Sequence, residues 1–122
     1  MPSSDPAQRF QDILDNVDRI ERFTAGLSLQ DFGGDEEKLF AVQHALLIIS
    51  EAAAKLGELA PELCPEIDWR DIRGLGNRLR HEYHGIDIVR LWRMVERDLA
   101  PLKTAAEQAL RKLRGGEERQ KV

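Results

Sequence analysis

Apolar side chains recur every three or four residues over most of this chain, the spacing that places them on one face of an α-helix. Near the amino terminus, Ser4 or Asp5 can cap such a helix, with Pro6 in its first turn and Ala25-Gly26 at its end. The apolar positions of this segment are Phe10, Ile13, Leu14, Val17, Ile20 and Phe23. The pattern therefore predicts an amphipathic first helix.

A second helix is predicted from Glu36 to about Ala60, with Asp35 as its cap. A short turn precedes it, in which Ser28 and Asp31 have the spacing of a capping box. The helix is apolar over much of its circumference, so it must contact neighbours on more than one side. We expect a homodimer to cover part of this surface, and complete burial within one bundle is the alternative.

The second half of the chain predicts two further helices. Asp68 can cap a third helix over residues 69–83, and Asp87 can start the last one. Pro101 lies inside the last helix, where it removes a hydrogen-bond donor and should produce a kink. Four helices with short links, and no strand-like alternation, predict an all-α up-and-down four-helix bundle, which we expect to form a dimer.

Composition narrows the class of protein. The 122 residues suit a single domain, which we place at 1–114, followed by a charged flexible tail at 115–122. No apolar run approaches the ~20 residues that span a bilayer, and the first residues lack the order of a signal peptide. Cys64 is the only cysteine and cannot form an internal disulfide. We therefore expect a cytoplasmic protein with no membrane partner.

Charge is distributed unevenly along the chain. Residues 1–67 carry 5 basic and 13 acidic side chains, whereas residues 68–97 carry 7 basic and 5 acidic ones. An acidic protein with a local basic region is a poor candidate for tight non-specific binding to nucleic acid, yet it can hold a few phosphates at one site. The alternative is that the imbalance serves solubility alone.

The densest polar stretch is G-N-R-L-R-H-E-Y-H-G-I-D, from Gly76 to Asp87. At about 100° per residue, a helix would gather its polar groups within roughly a third of the circumference and its apolar groups opposite. The polar strip comprises Arg73, Asn77, Arg80, His81 and His84, and the opposite side comprises Ile72, Leu75 and Leu79. Such a strip can bind a phosphate and move a proton.

His81 is the candidate for proton transfer, because histidine changes its charge near neutral pH. A neutral imidazole can remove the proton of a ribose 2′-hydroxyl while arginines stabilise the charge that develops on the adjacent phosphate. Asn77, one turn earlier, can hydrogen-bond the imidazole or a phosphate oxygen. These groups would cleave RNA without a metal; from the residues alone, a polar surface without activity stays open.

Cofactor chemistry has little support in the sequence. The three histidines and the single cysteine do not have the spacing of a known metal-ligand set, so no metal is expected. No glycine loop of the phosphate-cradling kind is present, which disfavours ATP chemistry, and we expect no cofactor. His44, on the apolar second helix, is interpreted as a packed or interface histidine.

Several segments together resemble the HEPN superfamily, and within it the HepT-like ribonuclease toxins. The resemblance covers most of the chain. It is carried by Glu51-Ala52-Ala53, Trp69-Arg70-x-Ile72-x-Gly74-Leu75, Asn77-x-Leu79-x-His81-x-Tyr83, Gly85-Ile86-Asp87 and Trp92.

This resemblance implies an all-α dimer that cuts RNA without a metal in a cleft between two copies of the motif. His81 maps to the family histidine, and Tyr83 maps to the tyrosine onto which an MntA-like nucleotidyltransferase antitoxin transfers AMP, as in a type VII-like toxin–antitoxin system. Glu51 would orient an arginine or histidine of the motif helix. The alternatives are a non-catalytic nucleotide- or substrate-binding subunit that pairs with a nucleotidyltransferase, and a purely structural helical adaptor.

The chain departs from the family motif at one position. The family usually has an arginine directly ahead of the asparagine, and here that position is Gly76. Arg73 and Arg78 are the candidates to substitute for it in catalysis. Arg80 and His84 are the candidate phosphate contacts. The glycine at this position weakens the expectation of catalytic activity more than the expectation of family membership.

Overall fold

All regular elements in the described part of the chain are helices, which confirms the predicted all-α bundle. The computed structural model describes the backbone of residues 5–81 and 87–120, and the side chains of residues 5–81 and 87–115. Helix α3 packs against both α1 and α5, and α7 packs against α1. The helices are α1 (Pro6–Thr24), α2 (Leu29–Gly33), α3 (Glu36–Leu56), α4 (Leu59–Leu63), α5 (Trp69–His81), α6 (Ile88–Arg93) and α7 (Leu99–Gln120).

Short polar side chains start the helices where the sequence predicts them. The Asp5 carboxylate accepts a hydrogen bond from the Gln8 amide at 3.1 Å, so Asp5 is the cap of α1; Ser4 lies outside the described residues. Ser28 and Asp31 form the reciprocal capping box at the start of α2, with both distances at 3.1 Å. These caps determine the residues at which α1 and α2 begin.

Helix α3 ends at Leu56, so the prediction that it extends to about Ala60 is wrong. Gly57 has φ of 57°, a left-handed conformation that terminates a helix and that glycine adopts without a Cβ clash. The chain then forms the one-turn helix α4, which contains Pro61 near its start, where a helix needs no amide donor. The long helix is therefore one turn shorter than its apolar pattern suggests.

Helix α3 is the central element of the core. By length and composition alone, the 21 residues of Glu36–Leu56 are long and apolar enough to cross a membrane. However, it contacts α1 along one side and α5 along another, which is the position of a core helix. Its buried residues are Val42, Ala45, Leu46, Ile49, Ser50, Ala52, Ala53 and Leu56.

Cys64 and Trp69 fix the start of α5 against the rest of the bundle. The Trp69 Nε1 donates to the Cys64 carbonyl oxygen at 2.9 Å, and the Trp69 ring makes an edge contact with Phe10 of α1. The Cys64 Sγ in turn donates to the Ala105 carbonyl oxygen at 3.4 Å. Burial raises the pKa of the Cys64 thiol to about 11, so it is protonated at neutral pH and acts as a packing residue.

The last helix is interrupted by a π-helical segment shortly before Pro101, and the kink at Pro101 stays a prediction. Asp87 caps α6 by accepting from the Arg90 amide at 3.2 Å, and a π-helical segment, Met94–Asp98, joins α6 to α7. A wider turn accommodates a proline, whose ring would otherwise collide with the carbonyl four residues earlier. The α7 backbone stays helical to Gln120, and the division of the chain at residue 115 stays a prediction.

Candidate functional site

Helix α5 presents the polar strip to solvent. Asn77, Arg80 and His81 are exposed and Arg73 is partly buried, whereas the apolar side faces the core through Ile72, Leu75 and Leu79. The structure thus brings four of the predicted strip residues to one face of a helix. Tyr83 and His84, the other predicted site residues of this stretch, lie outside the described residues.

Arg80 connects the strip to the neighbouring helix α3. Its Nη2 donates to the Asn77 Oδ1 at 3.2 Å, and its Nη1 lies 3.7 Å from the Glu51 Oε1. Both charged side chains are about half exposed, so this ion pair adds little to the stability of the fold. The predicted contact between Glu51 and an arginine of α5 is present, and its role in RNA chemistry stays a prediction.

Arg78 points away from the strip. Its Nη2 lies 3.6 Å from the Asp71 Oδ1, and the same carboxylate oxygen lies 3.7 Å from the Arg90 Nη2 of α6. The Arg78 Nη2 is buried and makes no hydrogen bond with any described residue. Asp71 therefore links α5 to α6 on the flank of the helix, and Arg78 is directed to that flank, whereas Arg80 faces α3.

Gly76 is buried at the crossing of α3 and α5. A Cβ at this position would overlap the Ser50 hydroxyl oxygen and would lie 2.7 Å from the Ser50 Cβ. The Ser50 Oγ donates to the Arg73 carbonyl oxygen at 3.3 Å, so Ser50 is itself held against α5. The glycine at the departure from the family motif is thus required by the close packing of two helices.

We expect Gly76→Ala to lower the free energy of unfolding by about 1–3 kcal/mol, because the new methyl group overlaps Ser50 and the helices must separate. The measurement is urea denaturation followed by circular dichroism. Gly115→Ala in α7 is the matched control, since a Cβ there meets nothing within 4 Å. That control should stabilise the protein, by up to about 1 kcal/mol. Equal effects of the two substitutions would contradict the close packing at Gly76.

Helix α5 contains a repeated glycine–arginine spacing that the pattern of polar and apolar positions did not reveal. A Cβ at Gly74 would lie 3.8 Å from the Arg78 Nη1, and a Cβ at Gly76 would lie 3.5 Å from the Arg80 Nη2. Each arginine therefore folds back over the glycine four residues earlier, because side chains on a helix lean toward its amino terminus. The amino-acid sequence contains this signal as two overlapping G-x-x-x-R pairs, Gly74 with Arg78 and Gly76 with Arg80.

The outward side of α3 carries exposed apolar surface next to this site. Phe40 is 60% exposed, and His44, Leu47 and Glu51 follow it at helical spacing. We call these four residues the outer α3 face. His44 is exposed, so it is not packed inside this protomer, and an interface position stays a prediction. The outer α3 face reaches the polar strip through the contact of Glu51 with Arg80.

Comparisons with known proteins find a family and several relatives that match most of this chain. A family model described as "Ribonuclease HepT-like" matches residues 13–109, from α1 to α7. A protein of Thermococcus cleftensis named "Probable ribonuclease HepT" is 38% identical over 98 residues, which cover 80% of this chain and 89% of that protein.

Two proteins of Methanocaldococcus jannaschii, each named a "Putative RNase", are also similar. One is 27% identical over 118 residues, which cover 97% of this chain and 98% of that protein; the other is 33% identical over 96 residues, which cover 79% and 88%. No solved structure gives a significant match. Since the matched region contains the core helices and the whole polar strip described above, the chain belongs to the HepT-like ribonuclease family of the HEPN superfamily.

Proposed function

We propose that this chain is the toxin of a toxin–antitoxin pair and cuts RNA without a metal ion. The observation that carries the proposal is the presence, on one exposed face of α5, of an imidazole at His81 beside the linked pair of Asn77 and Arg80. The chain's membership in a ribonuclease family supports RNA as the substrate. A helix face of this kind suits a flexible single strand, whose phosphates and riboses are accessible.

The proposed reaction is an internal phosphoryl transfer. His81 removes the proton of a ribose 2′-hydroxyl, and the 2′ oxygen forms a bond to the adjacent phosphorus. The bond from phosphorus to the 5′ oxygen breaks, and that oxygen takes a proton from water. Arginines of the strip stabilise the negative charge on the phosphate oxygens, while Asn77 positions the guanidinium or the substrate. The products are a 2′,3′-cyclic phosphate and a 5′-hydroxyl.

A cleavage assay with labelled single-stranded RNA tests this function. We expect cleavage to continue in excess EDTA and to leave ends that resist phosphatase until the cyclic phosphate is opened by acid. RNA that is bound but never cut would favour the alternative, a non-catalytic substrate-binding subunit. One observation favours that alternative. Gly76 occupies the position of the usual motif arginine, and it is buried in close contact with Ser50.

We propose that two copies of the chain associate through the outer α3 face. Phe40 is the most exposed large apolar residue in the described part of the chain, and its burial in a second copy would remove this surface from water. Because Glu51 belongs to the same face and contacts Arg80, such a dimer would bring the two polar strips near each other. A shared cleft is then available for one RNA strand.

We expect light scattering coupled to size exclusion to return about twice the 13.9 kDa mass of one chain at micromolar concentration. Phe40→Glu should shift the protein to a monomer, because it places a charge in the apolar contact. Leu29→Glu is the matched control on α2, where the side chain is exposed at 37% but lies outside the outer α3 face. A wild-type protein that elutes only as a 13.9 kDa species would refute the dimer.

We propose Tyr83 as the residue through which the toxin is silenced. It follows His81 by two positions, and the family resemblance assigns it as the acceptor of AMP from a small nucleotidyltransferase antitoxin. Attached AMP would add a phosphate charge and a nucleotide next to the cationic strip, where it would compete with RNA for the same guanidinium groups. Modification at Tyr83 would then block substrate binding without unfolding the bundle.

A further inference from the structure

We infer that Arg80, seated over Gly76, is the arginine that contacts the scissile phosphate in this chain. The inference rests on the proposed ribonuclease function and identifies which guanidinium serves it. Neither Arg73 nor Arg78, the candidates that the sequence suggested as substitutes for the missing motif arginine, has the same combination of position and free donors.

Because Gly76 has no side chain, there is space above the backbone of α5 at this residue; we call this space the seat of Arg80. The Arg80 Nη2 lies 3.5 Å from the point where a Cβ of residue 76 would be. The guanidinium therefore rests against the bare backbone of α5, over the residue whose position an arginine usually occupies. A longer side chain at 76 that extended outward from the crossing with Ser50 would enter this space.

Two groups hold the Arg80 guanidinium in place. The Asn77 Oδ1 accepts from Nη2 at 3.2 Å, and the Glu51 carboxylate lies 3.7 Å from Nη1. Asn77 lies one helical turn before His81, on the same face of α5. The amide thus ties the guanidinium to the face that carries the imidazole, and one phosphodiester can contact both groups.

Arg80 also keeps donors available for a ligand. A guanidinium has about five N–H donors, and in Arg80 one of them is given to a neutral amide. The only described carboxylate near it is Glu51, at a distance too long for a strong hydrogen bond, and the Arg80 side chain is 42% exposed. A phosphate can therefore approach from solvent and accept two hydrogen bonds in the fork geometry.

The other two arginines are placed less well. Arg78 is directed to Asp71 on the flank of α5, and its Nη2 is buried. Arg73 precedes His81 by eight residues, a rise of about 12 Å, and helical side chains lean further toward the amino terminus. Arg73 can serve a neighbouring phosphate of the strand, whereas Arg80 directly precedes His81 and its guanidinium lies beside Asn77, one turn before His81.

The first test compares Arg80→Gln, Arg78→Gln and Arg73→Gln in single-turnover RNA cleavage, with Arg111→Gln of α7 as the control for an exposed arginine outside the site. We expect R80Q to lose about 10²-fold in rate, more than either other site variant, and R111Q to match the wild type. Thermal unfolding of R80Q should be similar to that of R111Q, because no tightly buried pair is broken at Arg80.

The second measurement is RNA binding as a function of salt, with a 2′-O-methyl single strand that cannot be cut. Loss of one phosphate contact should lower the slope of log K against log salt by about 0.7, and a purely structural arginine would leave the slope unchanged. A wild-type rate and slope in R80Q, or a larger loss in R78Q or R73Q, would overturn the inference while leaving the ribonuclease function intact. A wild-type protein that cuts no RNA would overturn both.

The seat is tested separately by the double substitution Ser50→Gly with Gly76→Leu, which removes the overlap at the helix crossing and fills the space beside Arg80. We expect a folded double variant to lose at least tenfold in cleavage rate, with Ser50→Gly alone as its reference. Full activity of the folded double variant would contradict the role of Gly76. If the double variant does not fold, the comparison of R80Q with R78Q and R73Q decides.

Discussion

Replacing His81 by alanine is expected to reduce RNA cleavage by about 10²- to 10⁴-fold, the usual contribution of a positioned acid–base group. His81 is exposed at the end of α5, so its removal leaves no cavity and no buried group without a partner. The expected change in the free energy of unfolding is within about 0.5 kcal/mol. The measurement is the single-turnover rate with labelled RNA, together with inhibition of growth when the chain is expressed.

The control for this experiment is Gln108→Ala, an exposed polar residue on α7, outside the site. It should retain the rate and the growth inhibition of the wild type. Cleavage that persists at the wild-type rate in folded H81A would exclude His81 as the base. Loss of cleavage with unchanged RNA binding would place the effect on the chemical step.

Tyr83→Phe is expected to abolish adenylylation of this chain by the proposed nucleotidyltransferase antitoxin. Only the phenolic hydroxyl can accept the adenylyl group at this position, and Tyr83 is the single tyrosine of the chain, so no neighbouring tyrosine can replace it. Intact-mass spectra after coexpression with the proposed MntA-like nucleotidyltransferase should show adenylyl adducts on the wild type and none on Y83F. The same partner should relieve growth inhibition by the wild type only.

Two results would contradict this prediction. Adducts on Y83F would show that another residue accepts AMP, and an unmodified wild type beside a nucleotidyltransferase that is active on ATP would show that silencing does not occur by adenylylation. Y83F should still cut RNA if the phenol serves regulation alone. The cleavage assay on purified Y83F therefore separates a regulatory tyrosine from one that is needed for the reaction.

Local signals in the sequence predicted the helices well. Asp5, the pair Ser28 and Asp31, and Asp87 cap helices at the expected residues, because a cap depends on only a few adjacent positions. The end of α3 was placed too late, although Gly57 is the glycine signal that marks it. The apolar pattern continues past that glycine into α4, and hydrophobic spacing alone cannot distinguish one long helix from two.

The candidate site was predicted in part. A helical wheel gives the direction of each Cβ, so it correctly grouped Asn77, Arg80 and His81 on one exposed face. It could not show where the long side chain of Arg78 ends, since that depends on Asp71 about two turns away. Nor could it show that Gly76 meets Ser50, because helix crossings depend on contacts distant in sequence.

The meeting of Gly76 with Ser50 makes these two positions epistatic. An arginine cannot enter at 76 while residue 50 retains its present volume, so a mutational path that restores the usual motif must shrink residue 50 first. If the arginine were introduced at 76 first, its side chain would overlap Ser50, and this intermediate protein would be overpacked and less stable. In this chain, the size of residue 50 on α3 therefore limits which side chains α5 can accept at position 76.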